Sequence, residues 1–279
     1  MKWFSSSFSR LFSAAESVVD LLCPPLCVVC GSFPEWAADS SYFGRSDADR
    51  LLLCDNCRRF IVEEERLQCR RCAGPLAYPC PETVGCGNCK GEKFCFDSAV
   101  AIGEYRPPFS QQILSMKRET SGISAEVFAR LLYCERKDRL MSIGADLVIP
   151  VPMHSLRHLI RGVNSAEQIA RVLAAKIGIE CRTNIIRRSR WTVRQATLPG
   201  NLRRTNLLGA FQVVSRRRKD IEGKTILLVD DVMTTGSTCS EIARVLRQEG
   251  AAAVHAAVLA RAEVVSGIPL PRRAGQSSE

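Results

Sequence analysis

Four Cys-x-x-Cys pairs stand within the first 89 residues: Cys27/Cys30, Cys54/Cys57, Cys69/Cys72 and Cys86/Cys89. Each pair turns as a tight knuckle and aims two thiolates at one point. Two knuckles supply the four soft ligands of a tetrahedral zinc ion. Sequential pairing gives a first site of Cys27, Cys30, Cys54 and Cys57, and a second of Cys69, Cys72, Cys86 and Cys89. Gly31, Gly74, Pro75 and Gly87 beside the knuckles suit such turns. Both sites are closed, with no open coordination position. They are expected to be structural and to supply much of the folding energy of this part. An iron–sulfur cluster is the other occupant such ligands admit. Cys23, Cys80 and Cys95 are left over and read as spare thiols, with Cys80 an alternative ligand of the second site.

Metal is preferred to disulfides because the sequence offers no export signal. The opening MKWFSSSFSRLFSAAESVVDLL is amphipathic, interrupted by Ser, Arg, Glu and Asp, and lacks the continuous apolar centre of a secretory leader. No apolar run reaches the ~18 residues a membrane span needs. The expectation is a cytoplasmic protein, where dense cysteine means metal binding. Of the 14 cysteines, only Cys134, Cys181 and Cys239 lie beyond residue 95. A hydrophobic content of 46% over 279 residues excludes global disorder and fits one large domain or two small ones.

The pattern changes near Asp97, after which strand-like and helix-like runs alternate. SAVAIGEY (98–105) reads as a strand and 124–140 as a helix with Val127, Leu131 and Leu132 on one face. DLVIPVP (146–152) reads as a short buried strand. SAEQIARVLAAKIG (165–178) reads as an amphipathic helix with Ile169, Val172, Leu173 and Ile177 inward and Ser165 as its N-cap. KTILLVD (224–230), CSEIARVLRQEG (239–250), ended by Gly250, and AAVHAAVLA (252–260) form a strand–loop–helix–strand unit. Such alternation implies an α/β fold with a parallel sheet covered by helices.

The chemistry concentrates in ILLVDDVMTTGST, residues 226–238. An apolar strand ends in Asp230 and Asp231, a turn rich in Thr, Gly and Ser follows, and a helix begins. This is an anion cradle. Gly236 lets the backbone approach a phosphate, and the hydroxyls of Thr234, Thr235, Ser237 and Thr238 donate to its oxygens. The helix start adds the positive end of its dipole. The two carboxylates suit ribose hydroxyls, directly or through Mg²⁺. The segment is neither a Walker A loop nor GxGxxG, which disfavours ordinary nucleotide-triphosphate and dinucleotide sites.

The same segment resembles the phosphoribosyl-pyrophosphate (PRPP) signature of type I phosphoribosyltransferases. That resemblance implies ribose-diol contacts from Asp230 and Asp231 and a 5′-phosphate held by Thr234 to Thr238. VIPVPMHSLRHLIRGVNSAEQIA (148–170), RQATLPGNLRRTNLLGAF (194–211), ILSMK (113–117) and the cysteine knuckles are similar to ComF-type proteins, from about Leu21 to Arg261. Val163 and Ser165 depart from the Phe and Gln common in that family. The resemblance implies a double zinc ribbon followed by a doubly wound parallel sheet of phosphoribosyltransferase type. It also implies a link to natural competence, in which single-stranded DNA enters the cytoplasm. The expected division is an N-terminal amphipathic segment (1–20), a double zinc ribbon (21–96), a phosphoribosyltransferase domain (97–265) and a disordered tail (266–279).

Transfer from PRPP breaks the bond between ribose C1 and pyrophosphate through an oxocarbenium-like state. It needs Mg²⁺ and cations beside the leaving group rather than a nucleophilic side chain. Arg157 and Arg161 after PVP, Arg194 and Arg203 further on, and Lys117 are the candidates, with Arg161, Arg194, Arg203 and the acid pair as the catalytic set. His154, His158 and His255 make no acid–base constellation, and no acceptor pocket is legible.

The net charge is +10. The span from Arg182 to Lys219 holds cations and no acid. Arg187, Arg188, Arg190, Arg216, Arg217 and Arg218, with Trp191 to stack on a base, make a candidate surface for single-stranded DNA. Three readings follow. The first is an enzyme transferring phosphoribosyl to an unknown acceptor. The second is a non-catalytic PRPP- and DNA-binding accessory of a membrane-associated uptake machinery. The third, ranked last, is a zinc-ribbon transcription or repair factor.

Overall fold

A computed structural model describes residues 25–34, 51–62, 67–76, 78, 86, 87, 89, 92–153, 164–189 and 207–262. Five strands carry the apolar runs: β1 Ser98–Glu104, β2 Leu147–Pro150, β3 Glu180–Cys181, β6 Thr225–Met233 and β7 Ala253–Arg261. They pair in the order β1–β7–β6–β2–β3, every pair parallel. A separate antiparallel pair joins β4 Ile186–Arg188 to β5 Phe211–Val213. The central strands read as unbroken apolar runs because both faces of the sheet are covered.

Side-chain alternation sorts the two faces. Val100, Val148, Leu227, Val229 and Leu259 face a layer of helices: α1 Asp55–Val62, α2 Phe109–Met116, α3 Ile123–Ser142 and α4 Ser165–Ile177. Ala99, Leu147, Ile149, Ile226 and Leu228 face α5 Ser237–Gln248, the β4–β5 pair and Ile221, which follows the 3₁₀ helix Ser215–Asp220. A parallel sheet buried between two layers is the doubly wound α/β architecture that the alternation implied.

Ser165 does not cap α4. Asn164 is the cap, with extended backbone, and Ser165 is the first helical residue. The Ser165 hydroxyl is directed to Asp231 instead. Ile169 and Leu173 are buried as expected, whereas Val172 and Ile177 are half-buried at the edge of the helix face. β6 extends three residues past Asp230, because β7 continues beside it and pairs Val232 with Ala260 and Met233 with Arg261.

The cysteine-rich part packs against the edge strand β1. A Cβ on Gly103 would fall 2.3 Å from the Ile61 carbonyl oxygen, so glycine is what lets α1 approach β1. From the third cysteine pair of this part, the Arg70 carbonyl accepts from Ala99 N at 3.0 Å. Arg136 and Arg139 of α3 donate to the carbonyls of Ala99, Ala101 and Ile102 in the same strand. Three carbonyls and one amide of this edge strand, which is normally a row of open polar groups, are thereby occupied.

Candidate functional site

The cysteines gather as the spacing indicated. The sulfurs of Cys27, Cys30, Cys54 and Cys57 lie within 4.8 Å of one another, and so do those of Cys69, Cys72, Cys86 and Cys89. Tetrahedral coordination with metal–sulfur bonds of about 2.3 Å sets sulfur–sulfur edges of roughly 3.8 Å. The observed separations are 3.7 Å for Cys30–Cys54, 3.8 Å for Cys69–Cys89 and 3.5 Å for Cys72–Cys86. These suit four-coordinate zinc and are far too long for disulfides. The residues fit the ion, and when bound it would cross-link the two knuckles of each site.

Knuckle geometry follows from local backbone. Gly31 N donates to Cys27 O and Ala73 N to Cys69 O, both at 2.8 Å. In these two knuckles the residue after the second cysteine is left-handed, Gly31 at φ 72° and Ala73 at φ 57°. In the second knuckle the turn was expected at Gly74, but Ala73 adopts the strained conformation one residue earlier, held by the Cys69 carbonyl. Cys30 is exposed, whereas all four cysteines of the second site are buried. Cys95 joins neither cluster; its backbone N–H donates to Ser240 Oγ at 3.0 Å. Cys23 and Cys80 lie outside the described residues.

The acid pair sits within a paired strand, not at its end. Asp231 is held from two sides: Lys117 Nζ, just after α2, lies 3.0 Å from Oδ1, and Ser165 Oγ donates to Oδ2 at 3.2 Å. The Asp231 N–H donates to Asp230 Oδ1 at 2.8 Å. Burial first, and then the neighbouring Asp231 charge, push the Asp230 carboxyl up to about 7. Beneath it, burial and the Asp230 charge push the Cys239 thiol well up. A carboxylate pair short of positive charge fits a divalent cation together with hydroxyl donors.

The turn after the acids is shaped by Gly236, the N-cap of α5, at φ 77°. A Cβ there would also lie 3.1 Å from Phe94 Cε1 and 3.5 Å from Phe96 Cε1. Those rings are stacked at 4.6 Å and support the turn from below. Thr235 Oγ1 and Ser237 Oγ are 2.8 Å apart, placing two hydroxyls together at the helix N-terminus. Thr234, Thr235, Ser237 and Thr238 are all partly exposed and Gly236 is buried. Backbone donors, hydroxyls and a helix start converge here, which is what an anion site requires.

The structure thus brings Lys117, Asp230, Asp231 and the 234–238 turn together. Arg157, Arg161, Arg194, Arg203, Arg190 and Trp191 lie outside the described residues, as do His154 and His158. The basic span is partly neutralised by acids outside it: Asp220 pairs with Arg182 and Arg217, and Glu249 with Arg218. Arg188 lies over the Phe211 ring and Arg187 donates to Gln212. Arg216 and Lys219 are exposed.

Three contributors had weak sequence signals. Ser165 read as a cap. Phe94 and Phe96 fell at the end of the stretch assigned to the zinc ribbon and carried no signal of their own. Arg261 ends an otherwise apolar strand, and that lone charge was the one available sign of it. Its guanidinium, 1% exposed, donates to Cys72 O at 2.9 Å, Met233 O at 3.0 Å and Ala262 O at 2.9 Å.

Residues 158–265 match the phosphoribosyl transferase domain family. DNA utilization protein YhgH of Salmonella typhimurium is 34% identical over 75% of this chain and 90% of its own length. Competence protein F of Haemophilus influenzae is 33% identical over the same shares. YhgH of Escherichia coli K12 is 31% identical, again over 75% and 90%. With these identities across nine-tenths of those relatives, a phosphoribosyltransferase-type sheet and two four-cysteine clusters before it, the chain belongs to the ComF family, that of competence protein F and YhgH.

Proposed function

We propose that this protein binds PRPP together with Mg²⁺ and transfers its phosphoribosyl group to an acceptor in the service of DNA uptake. The carrying observation is the convergence of Asp230, Asp231 and Lys117 on the hydroxyl-rich turn at the start of α5. Asp230 and Asp231 would hold the cation and the ribose hydroxyls. When bound, Mg²⁺ neutralises charge that grows on pyrophosphate. The turn from Thr234 to Thr238 would fix the 5′-phosphate through backbone N–H groups and hydroxyls.

In the transfer, the bond from ribose C1 to pyrophosphate breaks and the acceptor forms a bond to C1. Pyrophosphate leaves with the bonding electron pair. Lys117 stands where it can pass from Asp231 to the leaving group. Arg157, Arg161, Arg194 and Arg203 are the further cations assigned to that charge.

A second reading, PRPP binding without turnover by a single-stranded-DNA-binding accessory, is favoured by the exposed Arg216 and Lys219 beside the sheet and by relatives named for competence and DNA utilization. Calorimetric titration of the zinc-loaded protein with Mg-PRPP, beside an Asp230→Asn/Asp231→Asn variant, tests the common part. Binding is expected only for the unsubstituted protein. Absence of binding there removes the phosphoribosyl reading. Pyrophosphate release then separates enzyme from accessory.

A further inference from the structure

We infer that Arg261 is a positioning residue that makes the second cysteine site part of the support of the phosphate-binding turn. The inference rests on the PRPP reading of that turn and extends it to how the turn keeps its shape.

Three observations carry it. First, Arg261 is buried, and its hydrogen bonds run to backbone carbonyls rather than to a carboxylate. A buried guanidinium without a paired anion is costly unless its surroundings supply negative potential. A zinc ion with four thiolate ligands carries net negative charge, and Cys72, whose carbonyl accepts from Arg261 Nε at 2.9 Å, is one of those four. The second site therefore offers the counter-charge that the sheet does not.

Second, the other end of the fork is at the turn. Met233 O accepts from Arg261 Nη1 at 3.0 Å and from Ala262 N at 2.8 Å. Met233 is the last residue of β6, so fixing its carbonyl fixes the peptide from which the 234–238 turn departs. The guanidinium thus spans from a metal ligand to the first peptide of the anion cradle.

Third, the same two parts touch elsewhere. Phe94 and Phe96, which follow the second cluster directly, underlie Gly236. Cys95 N donates to Ser240 Oγ in the first turn of α5. Loss of the second site would release Cys72 O and the 94–96 strut at once, leaving Arg261 without one of its three carbonyl partners and mispositioned. Among the described residues the first site connects through the sheet instead, its helix α1 resting on β1 at Gly103 and β1 pairing with β7 at Ala260 and Arg261.

The test uses the full chain loaded with zinc. Hydrogen exchange is followed before and after chelation, comparing amides of 233–240 with those of β2, which lies in the same sheet and pairs with β6 upstream of the turn. We expect exchange at 233–240 to speed up at least tenfold when the second zinc leaves, with β2 unchanged. A general structural role would loosen both. Arg261→Lys keeps the cation but cannot span both carbonyls, and it should weaken Mg-PRPP binding at least tenfold in protein that retains its fold by circular dichroism. Unchanged exchange at 233–240 with the second site empty, or wild-type affinity in Arg261→Lys, would overturn the inference. If the intact protein binds no Mg-PRPP, the phosphoribosyl reading fails and the exchange comparison decides the inference alone.

Discussion

Lys117 Nζ and Asp231 Oδ1 lie 3.0 Å apart, tying the end of α2 to the middle of the candidate site. The pair is about one-fifth exposed, so it is neither a surface bridge nor a sealed one. It holds Asp231 beside Asp230, and it keeps a mobile cation at the place where pyrophosphate charge would develop. Lys117→Gln should weaken Mg-PRPP binding by about tenfold, the scale of one charge-assisted hydrogen bond. Titration calorimetry at two salt concentrations checks it, with the variant showing the smaller salt dependence.

Asp230 is destabilising in the unliganded protein. Its carboxyl is raised from 3.8 to about 7 in the folded chain. Between those values the folded state keeps a proton that the unfolded state has lost. The associated stability is present in full below about 4 and declines as pH rises through 7. Asp230→Asn removes this penalty, so the variant should melt a few degrees above the wild type at pH 8, on the order of 1 kcal/mol or more. The advantage should shrink as pH falls from 7 to 4. The same substitution should abolish Mg-PRPP binding, giving a stabler and inactive protein.

The two cysteine sites should release zinc at different rates. Cys30 is exposed, whereas Cys69, Cys72, Cys86 and Cys89 are all buried. A chelator with a colorimetric zinc readout should show two phases of equal amplitude, and Cys30→Ser should remove only the fast one. A single phase would mean that the sites unfold together.

Gly236→Ala should cost about 1–2 kcal/mol, because the new side chain meets a left-handed backbone and the Phe94 ring at 3.1 Å together. Thermal melts measure the stability loss. Mg-PRPP affinity should drop more than tenfold, since the turn must open to relieve the contact.

For DNA, the exposed cations are the informative ones. Replacing Arg187, Arg216 and Lys219 by Gln should lower the slope of log affinity for single-stranded DNA against log salt by about 2. Arg217 and Arg218 are engaged by Asp220 and Glu249, so their loss should matter less to DNA and more to stability.

The sheet and both cysteine clusters were legible because each depends on signals carried by neighbouring residues. Apolar runs marked β2, β6 and β7, and knuckle spacing marked the ligands. The acid pair and hydroxyl turn were legible for the same reason. The end of β6 was not: Val232 and Met233 stay in the sheet because β7 offers partners at Ala260 and Arg261, and such pairing leaves no mark in the side-chain pattern. Ser165 looked like a cap until the fold placed Asp231, 66 residues away, within reach. Arg261 was invisible for a stronger version of that reason, since one of its partners is 189 residues distant in the chain.

The five-stranded sheet has two boundaries, and each limits further pairing in its own way. On one side Arg136 and Arg139 occupy the carbonyls of Ala99, Ala101 and Ile102, and the Arg70 carbonyl takes the Ala99 amide. On the other, β3 is only two residues long. A foreign strand, whether from another copy or from a misfolded neighbour, would have to displace those side chains to pair with β1. The arginines of α3, which anchor the helix to the sheet, thus double as a guard against edge-to-edge association at β1.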